Sequence, residues 1–208
     1  PIVGNIGSAA MLNNDATLKL RKGVWELNGD PTEGALMAFA HKAGHEVKTL
    51  ADWPRTDVIP FSAQARYMAT LHHGAEGHGI IYIKGAPEQI LAMCDSQQRA
   101  DGTDEPLLPH YWQSRINELA SQGKRVLAVA HGHALPNQLR LRHEDISKRL
   151  TLLGLLAIMD TPRQEARSAI AACLSAGIAV KMITGDHVRT ASAIGELLGI
   201  THSDHVMT

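Results

Sequence analysis

The chain has 208 residues, which is enough for one large domain or for one domain and part of a second. Its formal net charge of -1 and its lack of a basic run argue against a nucleic-acid surface. The two cysteines, Cys94 and Cys173, lie far apart without metal-site spacing, which favours buried thiols over a disulfide framework. No apolar run approaches the ~18 residues of a membrane span. We therefore expect a soluble chain, and its abrupt start at Pro1 is typical of a piece of a longer protein.

A helix over 28–44 is the most clearly marked element of the first half. Asp30 is placed to cap its N-terminus, Pro31 suits the first helical position, and Glu33 stands where a capping box has its carboxylate. Gly44 is a natural C-terminal stop. The chain opens with polar, turn-rich sequence that leads to the strand expected at 24–27.

Runs rich in β-forming residues predict the strands, which are expected at 24–27, 67–71, 80–83, 125–132 and 152–159. Helices are expected from Pro87 to about Cys94 and over 110–124, with a polar loop at 95–109 between them. The Gly- and His-rich stretch after the second strand is typical of a hairpin loop. Strands that partly pair as hairpins and alternate with helices indicate an α/β fold with a mixed, largely antiparallel sheet flanked by helices.

The pattern changes near Asp160 to a helix over 161–177, a strand over 178–183 and a second helix that ends at Gly199. Apolar residues recur at helical spacing, and we expect these to face inward: Ile170, Cys173, Leu174, Ile194, Leu197 and Leu198. This order is that of a partial parallel βαβ segment. One crossover cannot cover both faces of a parallel sheet, so the segment is expected to be incomplete.

The turn after the predicted strand at 178–183 has the composition of a phosphate site. A helix N-terminus offers unpaired N–H groups and a positive dipole end. Thr184 adds a hydroxyl, Gly185 allows close approach of the backbone, and Asp186 could help to hold a cation. Asp186 could equally do no more than cap the next helix.

The histidines form two local groups, His72, His73 and His78, and His131 with His133. Neither group has the i, i+4 spacing or the carboxylate partner of a typical metal site. We therefore expect these residues in surface loops and predict no metal site.

Five short motifs occur in order along the chain: "GDPTEGAL" (29–36), "FSAQARYM" (61–68), "KGAPE" (84–88), "MDTPR" (159–163) and "MITGD" (182–186). With them the chain resembles the cytoplasmic nucleotide-binding domain of P-type cation-transporting ATPases of the calcium- and sodium-pump branch. The resemblance implies a nucleotide-binding domain at 1–158 and the incomplete start of a dehalogenase-like phosphorylation domain at 159–208.

The resemblance assigns the adenine side of a nucleotide site to three residues. Phe61 would be the platform on which the base stacks, although an isolated phenylalanine is more often a core residue. Lys84 and Gly85 would lie along the nucleotide, the alternative for Lys84 being a solvated lysine at a strand end. Glu33 would reach the adenine amino group, and its position in a capped helix offers a second explanation for it.

The phosphate side would be formed by Arg125 and Arg66, whose forked, permanently charged side chains suit phosphate. Arg66 stands where the family usually has lysine. Ala63 is a larger departure, because related pumps can have a basic residue there. Thr184, Gly185 and Asp186 resemble the motif that holds the transferred phosphoryl group in the full protein.

The phosphorylated aspartate of that family lies in Asp-Lys-Thr-Gly-Thr, a motif that this sequence does not contain. The resemblance thus implies a domain that binds ATP and presents it to an aspartate outside this chain, with Mg2+ needed only in the full-length protein. Its partners would be the remaining phosphorylation, actuator and transmembrane domains of a membrane-embedded pump, and calcium is the favoured ion. The alternatives are a stand-alone dehalogenase-type phosphatase or phosphotransferase and a non-catalytic regulatory domain.

Overall fold

The computed structural model describes residues 1–46, 48–75, 77–135, 137–147, 149–159, 164–183 and 188–200. The described residues form two compact units. The first comprises Pro1–Trp112 and Leu127–Leu156, and the second comprises Gln113–Val126 and the described residues from Ala157 onward.

The elements follow one another in an order that mixes helices with paired strands. They are α1 (Ile2–Leu12), β1 (Thr17–Arg21), β2 (Val24–Asn28), α2 (Pro31–Lys42), α3 (Lys48–Asp52), β3 (Arg55–Ile59), β4 (Tyr67–His73), β5 (Gly79–Gly85), α4 (Pro87–Leu91), β6 (Cys94–Gln98), β7 (Asp104–Pro106), α5 (Pro109–Ser121), β8 (Arg125–His133), a 3-10 helix (His143–Ile146), β9 (Leu150–Ile158), α6 (Gln164–Ser175) and α7 (Val188–Leu197).

Seven of the strands form one sheet in the order β3-β4-β5-β8-β9-β6-β7, and β1 and β2 form a separate hairpin. The pairs β3/β4, β4/β5, β5/β8 and β6/β7 are antiparallel, whereas β6 and β9 are parallel. The predicted fold class, a mixed and largely antiparallel sheet flanked by helices, is therefore confirmed.

Both faces of the central strands are buried, which explains their nearly continuous apolar sequences. One face includes Leu71, Ile81 and Ile83 and is covered in part by Ile90 of α4 and Ile146 of the 3-10 helix. The opposite face is covered by α1 through residues that share one cluster: Ala9, Leu12, Tyr82, Val129 and Leu153. Lys84, two residues after Tyr82 in β5, lies on this second face.

Three sequence expectations in the first unit are wrong. The polar, turn-rich start contains the helix α1, and the polar loop expected at 95–109 contains β6 and β7. The helix that begins at Pro87 ends at Leu91, so that Cys94 opens a strand instead of closing a helix. The sequence of β6, Cys-Asp-Ser-Gln-Gln, has no apolar alternation, and its strand conformation comes from pairing with β7 and β9.

In the second unit the two predicted helices are present as α6 and α7, but residues 178–183 are not a strand. A strand needs a neighbour for its hydrogen bonds, and the described residues of this unit supply none at that place. No residue of α6 is buried, and Leu174, Leu197 and Ile183 are 40%, 39% and 97% exposed. The inward orientation expected for Leu174 and Leu197 is therefore wrong. Asp160, Thr161 and Pro162 lie outside the described residues.

Candidate functional site

The loop between β3 and β4 carries Phe61 and Arg66. Phe61 is 64% exposed, which leaves its aromatic side chain accessible to a planar ligand. The loop then closes in a turn, because the backbone N–H of Arg66 donates to the Ser62 carbonyl at 2.7 Å and the Ser62 hydroxyl accepts from the N–H of Ala65 at 3.1 Å. The turn ends with Arg66 in the left-handed region at φ +57°, and its side chain is exposed.

Gly85 lies opposite Tyr67 at one end of the β4/β5 ladder. A Cβ atom on Gly85 would lie 2.4 Å from the Arg66 carbonyl oxygen and 2.7 Å from the Tyr67 Cα. The same Arg66 carbonyl accepts a hydrogen bond from the N–H of Ala86 at 2.9 Å. Glycine at this position therefore permits the close approach that fixes the backbone of Arg66.

Glu33 and Lys84 form a largely buried ion pair. Oε1 of Glu33 lies 2.7 Å from Nζ of Lys84, and the two side chains are 18% and 9% exposed. Oε2 of Glu33 accepts from the backbone N–H of Asp15 at 3.1 Å, and the Lys84 ammonium also donates to the Asn13 carbonyl. Lys84 is thus neither a solvated lysine nor a side chain extended over the surface.

Burial lowers the pKa of the Lys84 ammonium from its ordinary value. The hydrogen bond from Lys84 to Glu33 and the Glu33 charge oppose this shift, and the Asp15 charge does so more weakly. The carboxylate therefore favours the charged form of a lysine that burial alone would disfavour.

The N-terminus of α2 holds Glu33 in place. Oδ1 of Asp30 accepts from the backbone N–H groups of Thr32 and Glu33 at 2.8 and 3.3 Å, which confirms the predicted N-cap. Pro31 occupies the first turn, as expected from its fixed φ.

The sequence analysis missed three residues that surround the ion pair, Asn13, Asp15 and Arg55. Asn13 and Asp15 belong to the turn that follows α1, and Arg55 begins β3. The run Asn-Asn-Asp after an apolar segment could have marked the end of a helix, because these residues favour turns. No local signal pairs Arg55 with this turn, since the two are about forty residues apart.

The remaining predicted site residues are placed differently. Arg125 is exposed at the start of β8 and belongs to the second unit, so its geometry does not bear on the site of the first unit. Thr184, Gly185 and Asp186 lie outside the described residues. The structure thus brings together Glu33 with Lys84, and Arg66 with Gly85.

The expectation that the histidines lie in surface loops is wrong for His72, which is 1% exposed in β4. Its Nδ1 contacts the Trp53 carbonyl at 2.9 Å. His131 is half-buried in β8. Among the residues that the structure describes, no group of three His, Cys, Asp or Glu side chains is arranged to hold a metal ion.

The described residues thus form a mixed α/β fold that carries an exposed Phe61 loop and a largely buried Glu33–Lys84 pair. The sequence model of the family described as "P-type ATPase, cytoplasmic domain N" matches residues 4–165. The chain therefore belongs to this family of cytoplasmic domains. No helix within the described residues is both long enough and apolar enough to cross a membrane.

The chain is also similar in sequence to curated proteins that are named cation-transporting or calcium-transporting ATPases. The chain is 44% identical to Cation-transporting ATPase pma1 of Synechocystis over 201 residues, which are 96% of this chain and 22% of that protein. It is 35% identical to mouse Calcium-transporting ATPase type 2C member 2 over 204 residues, 95% of this chain and 20% of that protein. The match to Calcium-transporting ATPase of Bacillus subtilis is 34% identical over 198 residues, 89% and 21% of the two chains. The chain thus spans about a fifth of the length of these relatives.

Proposed function

We propose that this chain is the ATP-binding module of a P-type cation-transporting ATPase. The observation that carries the proposal is the 64% exposed Phe61 ring, held within the "FSAQARYM" motif of a chain that belongs to this family. An exposed aromatic ring can stack on a flat ligand, and a nucleobase is such a ligand.

In this proposal the adenine base stacks on Phe61 and its amino group donates to Glu33. The carboxylate can accept this bond because its two oxygens have about four acceptor sites, and the described contacts from Lys84 and Asp15 use two of them. The 18% exposure of the Glu33 side chain leaves part of it open to a ligand.

Lys84 is not a solvated lysine at a strand end but the buried partner of Glu33. Its ammonium compensates the Glu33 charge and fixes the carboxylate, so that Glu33 can accept from the base without being an unpaired buried anion. The stem of Lys84 lies next to Gly85 in the chain and borders the nucleotide. Lys84 and Gly85 therefore belong to the proposed binding site together with Glu33.

The nucleotide phosphates are assigned to Arg66 and Arg125. Arg66 is exposed and directly follows the Phe61 loop, which leaves its guanidinium free to reach a ligand bound there. Arg125 is proposed on the family resemblance alone. Ala63 cannot supply the basic group that some related pumps have at this position, so more of the charge compensation rests on the two arginines.

For the whole protein we propose that residues 1–158 form the nucleotide domain and that 159–208 begin the phosphorylation domain. ATP would be presented to an aspartate outside this sequence, with Mg2+ neutralising developing charge there, and Thr184, Gly185 and Asp186 would hold the transferred phosphoryl group. The partners are the other domains of the same membrane-embedded pump. Calcium is the proposed ion because two of the relatives are named calcium-transporting.

The test is to measure AMP and ATP affinities by NMR titration of the wild-type chain and of Phe61→Ala. Wild-type affinity is expected near millimolar, which is about 4 kcal/mol. Because stacking is worth roughly 1–3 kcal/mol per base, Phe61→Ala should weaken AMP and ATP alike by about five-fold or more. Tyr111→Ala, which removes another exposed aromatic ring, is the matched control and should change neither affinity.

Unchanged affinities in Phe61→Ala would contradict the assignment. Arg125→Ala and Arg66→Ala should weaken ATP binding and leave AMP binding nearly unchanged, because AMP lacks the outer phosphates. ATP turnover by the isolated chain would favour the stand-alone phosphotransferase instead, and binding of no nucleotide at all would favour the regulatory domain.

A further inference from the structure

The C-terminal end of α1 is bound by an arginine from a distant strand. The Arg55 guanidinium donates through Nη2 to the carbonyls of Leu12 and Asn14, at 3.3 and 2.6 Å. Its Nη1 lies 2.6 Å from Oδ1 of Asp15, and the Arg55 side chain is 30% exposed. One guanidinium thus contacts three of the four residues of the turn at 12–15.

This arrangement satisfies a general need of helix ends. The last carbonyls of a helix have no partner within the helix, and the negative end of the helix dipole favours cations. The planar fork of arginine can donate to several acceptors at once, which a lysine cannot do in the same geometry. Arg55 therefore fixes both the direction and the position of the backbone that leaves α1.

The same turn supplies two of the contacts that hold the ion pair. The Asn13 carbonyl accepts from the Lys84 ammonium, and the Asp15 N–H donates to Oε2 of Glu33. Arg55 therefore binds the turn on both sides of the backbone groups that Lys84 and Glu33 contact. The hydrogen bonds described for Arg55 go to the turn and not to Glu33 or Lys84. Its charge also acts on Lys84 through space and lowers the pKa of the ammonium, whereas its effect on the position of the pair passes through the turn.

We propose that Arg55 is a positioning residue for the Glu33–Lys84 pair, acting through the turn at 12–15, and that it thereby sets the selectivity of the nucleotide site for adenine. The second part rests on the proposed function, in which Glu33 accepts from the adenine amino group. Hypoxanthine presents the same stacking face without this amino group. A correctly held Glu33 therefore distinguishes the two bases, whereas a displaced one does not.

The test compares Arg55→Gln with wild type in the full chain, using two readouts. Without ligand, the NMR signals of the Asp15 amide and the Lys84 ammonium report on the turn. With ligand, titrations with AMP and with IMP give the ratio of their affinities. We expect Arg55→Gln to shift both signals and to lower the preference for AMP by about three-fold or more. The preference falls because a displaced Glu33 loses the hydrogen bond from the adenine amino group, and its carboxylate is a charged acceptor.

Arg142→Gln is the matched control, since Arg142 also pairs with a carboxylate, that of Glu144 at 3.2 Å, and both are 72% exposed. It should leave the signals and the ratio unchanged. A merely stabilising role of Arg55 would lower the melting temperature and leave the AMP preference intact. Should Arg55→Gln not fold, Asp15→Asn removes the charge paired with Arg55 while keeping the backbone N–H, and it should lower the same ratio.

The two proposals fail in different ways. Wild-type chain that binds neither AMP nor IMP would contradict the nucleotide site. The ligand-free signal of the Asp15 amide, which donates to Glu33, would still decide whether Arg55 positions the pair. Wild-type preference for AMP that persists in a folded Arg55→Gln, with the Asp15 and Lys84 signals unmoved, would overturn the role of Arg55 alone.

Discussion

At the residue scale, Gly85 shows how one missing side chain shapes the site. An added Cβ would meet backbone atoms, the Arg66 oxygen and the Tyr67 Cα, which cannot move aside as a flexible side chain can. We expect Gly85→Ala to lower the free energy of unfolding by about 2–3 kcal/mol, as overpacking does. Chemical denaturation measures this, and Gly4→Ala is the control.

Gly4 lies within α1, and a Cβ there would have no atom within 4 Å. Alanine favours a helix over glycine by roughly 0.5–1 kcal/mol. Gly4→Ala should therefore stabilise the chain slightly. Equal effects of the two substitutions would mean that the close approach at Gly85 does not matter.

His72 makes stability depend on pH. The pKa of His72 is lowered from 6.5 to about 4, chiefly by burial and to a smaller extent by the Arg55 charge, against the opposing hydrogen bond to the Trp53 backbone. The folded chain binds fewer protons than the unfolded chain between these values, so stability is present above pH 6.5 and is lost as the pH falls toward 4. The loss at pH 4 is about 3 kcal/mol.

The measurement is urea denaturation at pH 7 and at pH 4.5. His72→Phe removes the titrating group and should reduce the difference in stability between the two pH values. His78→Phe replaces an exposed histidine and should leave that difference as it is in wild type. An unchanged pH dependence in His72→Phe would show that His72 is not the responsible group.

The sequence indicated the types of residue at the site but not their contacts. Phe61 was expected to be exposed because of the motif that contains it, and it is 64% exposed. Lys84 could not be predicted as buried, because its burial depends on Asn13 and Glu33, which are 71 and 51 residues away. Contacts over such distances leave no local pattern in a single sequence.

At the scale of elements, the N-cap of α2 links stability to the site. Asp30→Ala removes the acceptor for the Thr32 and Glu33 N–H groups and should cost about 1 kcal/mol in the free energy of unfolding. Because Glu33 lies in the turn that loses its cap, the substitution should also weaken adenine binding. Thermal denaturation and AMP titration check both effects, and Asp30→Asn should retain the cap. Full stability in Asp30→Ala would contradict the role of the cap.

Elements marked by their own residues were predictable, and elements made by their neighbours were not. The helix α2 has a cap, a proline and a glycine stop, and β4 and β5 have long runs of β-forming residues. In contrast, β6 is polar and forms because β7 and β9 lie beside it. At 178–183 a strand was predicted from an apolar run but is not formed, because no neighbouring strand lies beside it among the described residues.

At the scale of the whole molecule, the first unit contains every contact on which the proposed base-recognition site depends. Glu33, Lys84, Arg55 and the turn at 12–15 all belong to it. The relatives are about five times longer than this chain. Binding of the base in the proposed site therefore requires only residues of the first unit.

The most direct measurement is an NMR titration of the isotope-labelled wild-type chain with ATP. The account predicts saturable shifts at Glu33, Phe61, Lys84 and Gly85, with a dissociation constant near millimolar, or about 4 kcal/mol. AMP should move the same signals, because the base is the shared part of both ligands. Shifts that miss these four residues, or no shifts at ATP concentrations of about ten times that constant, would contradict the account.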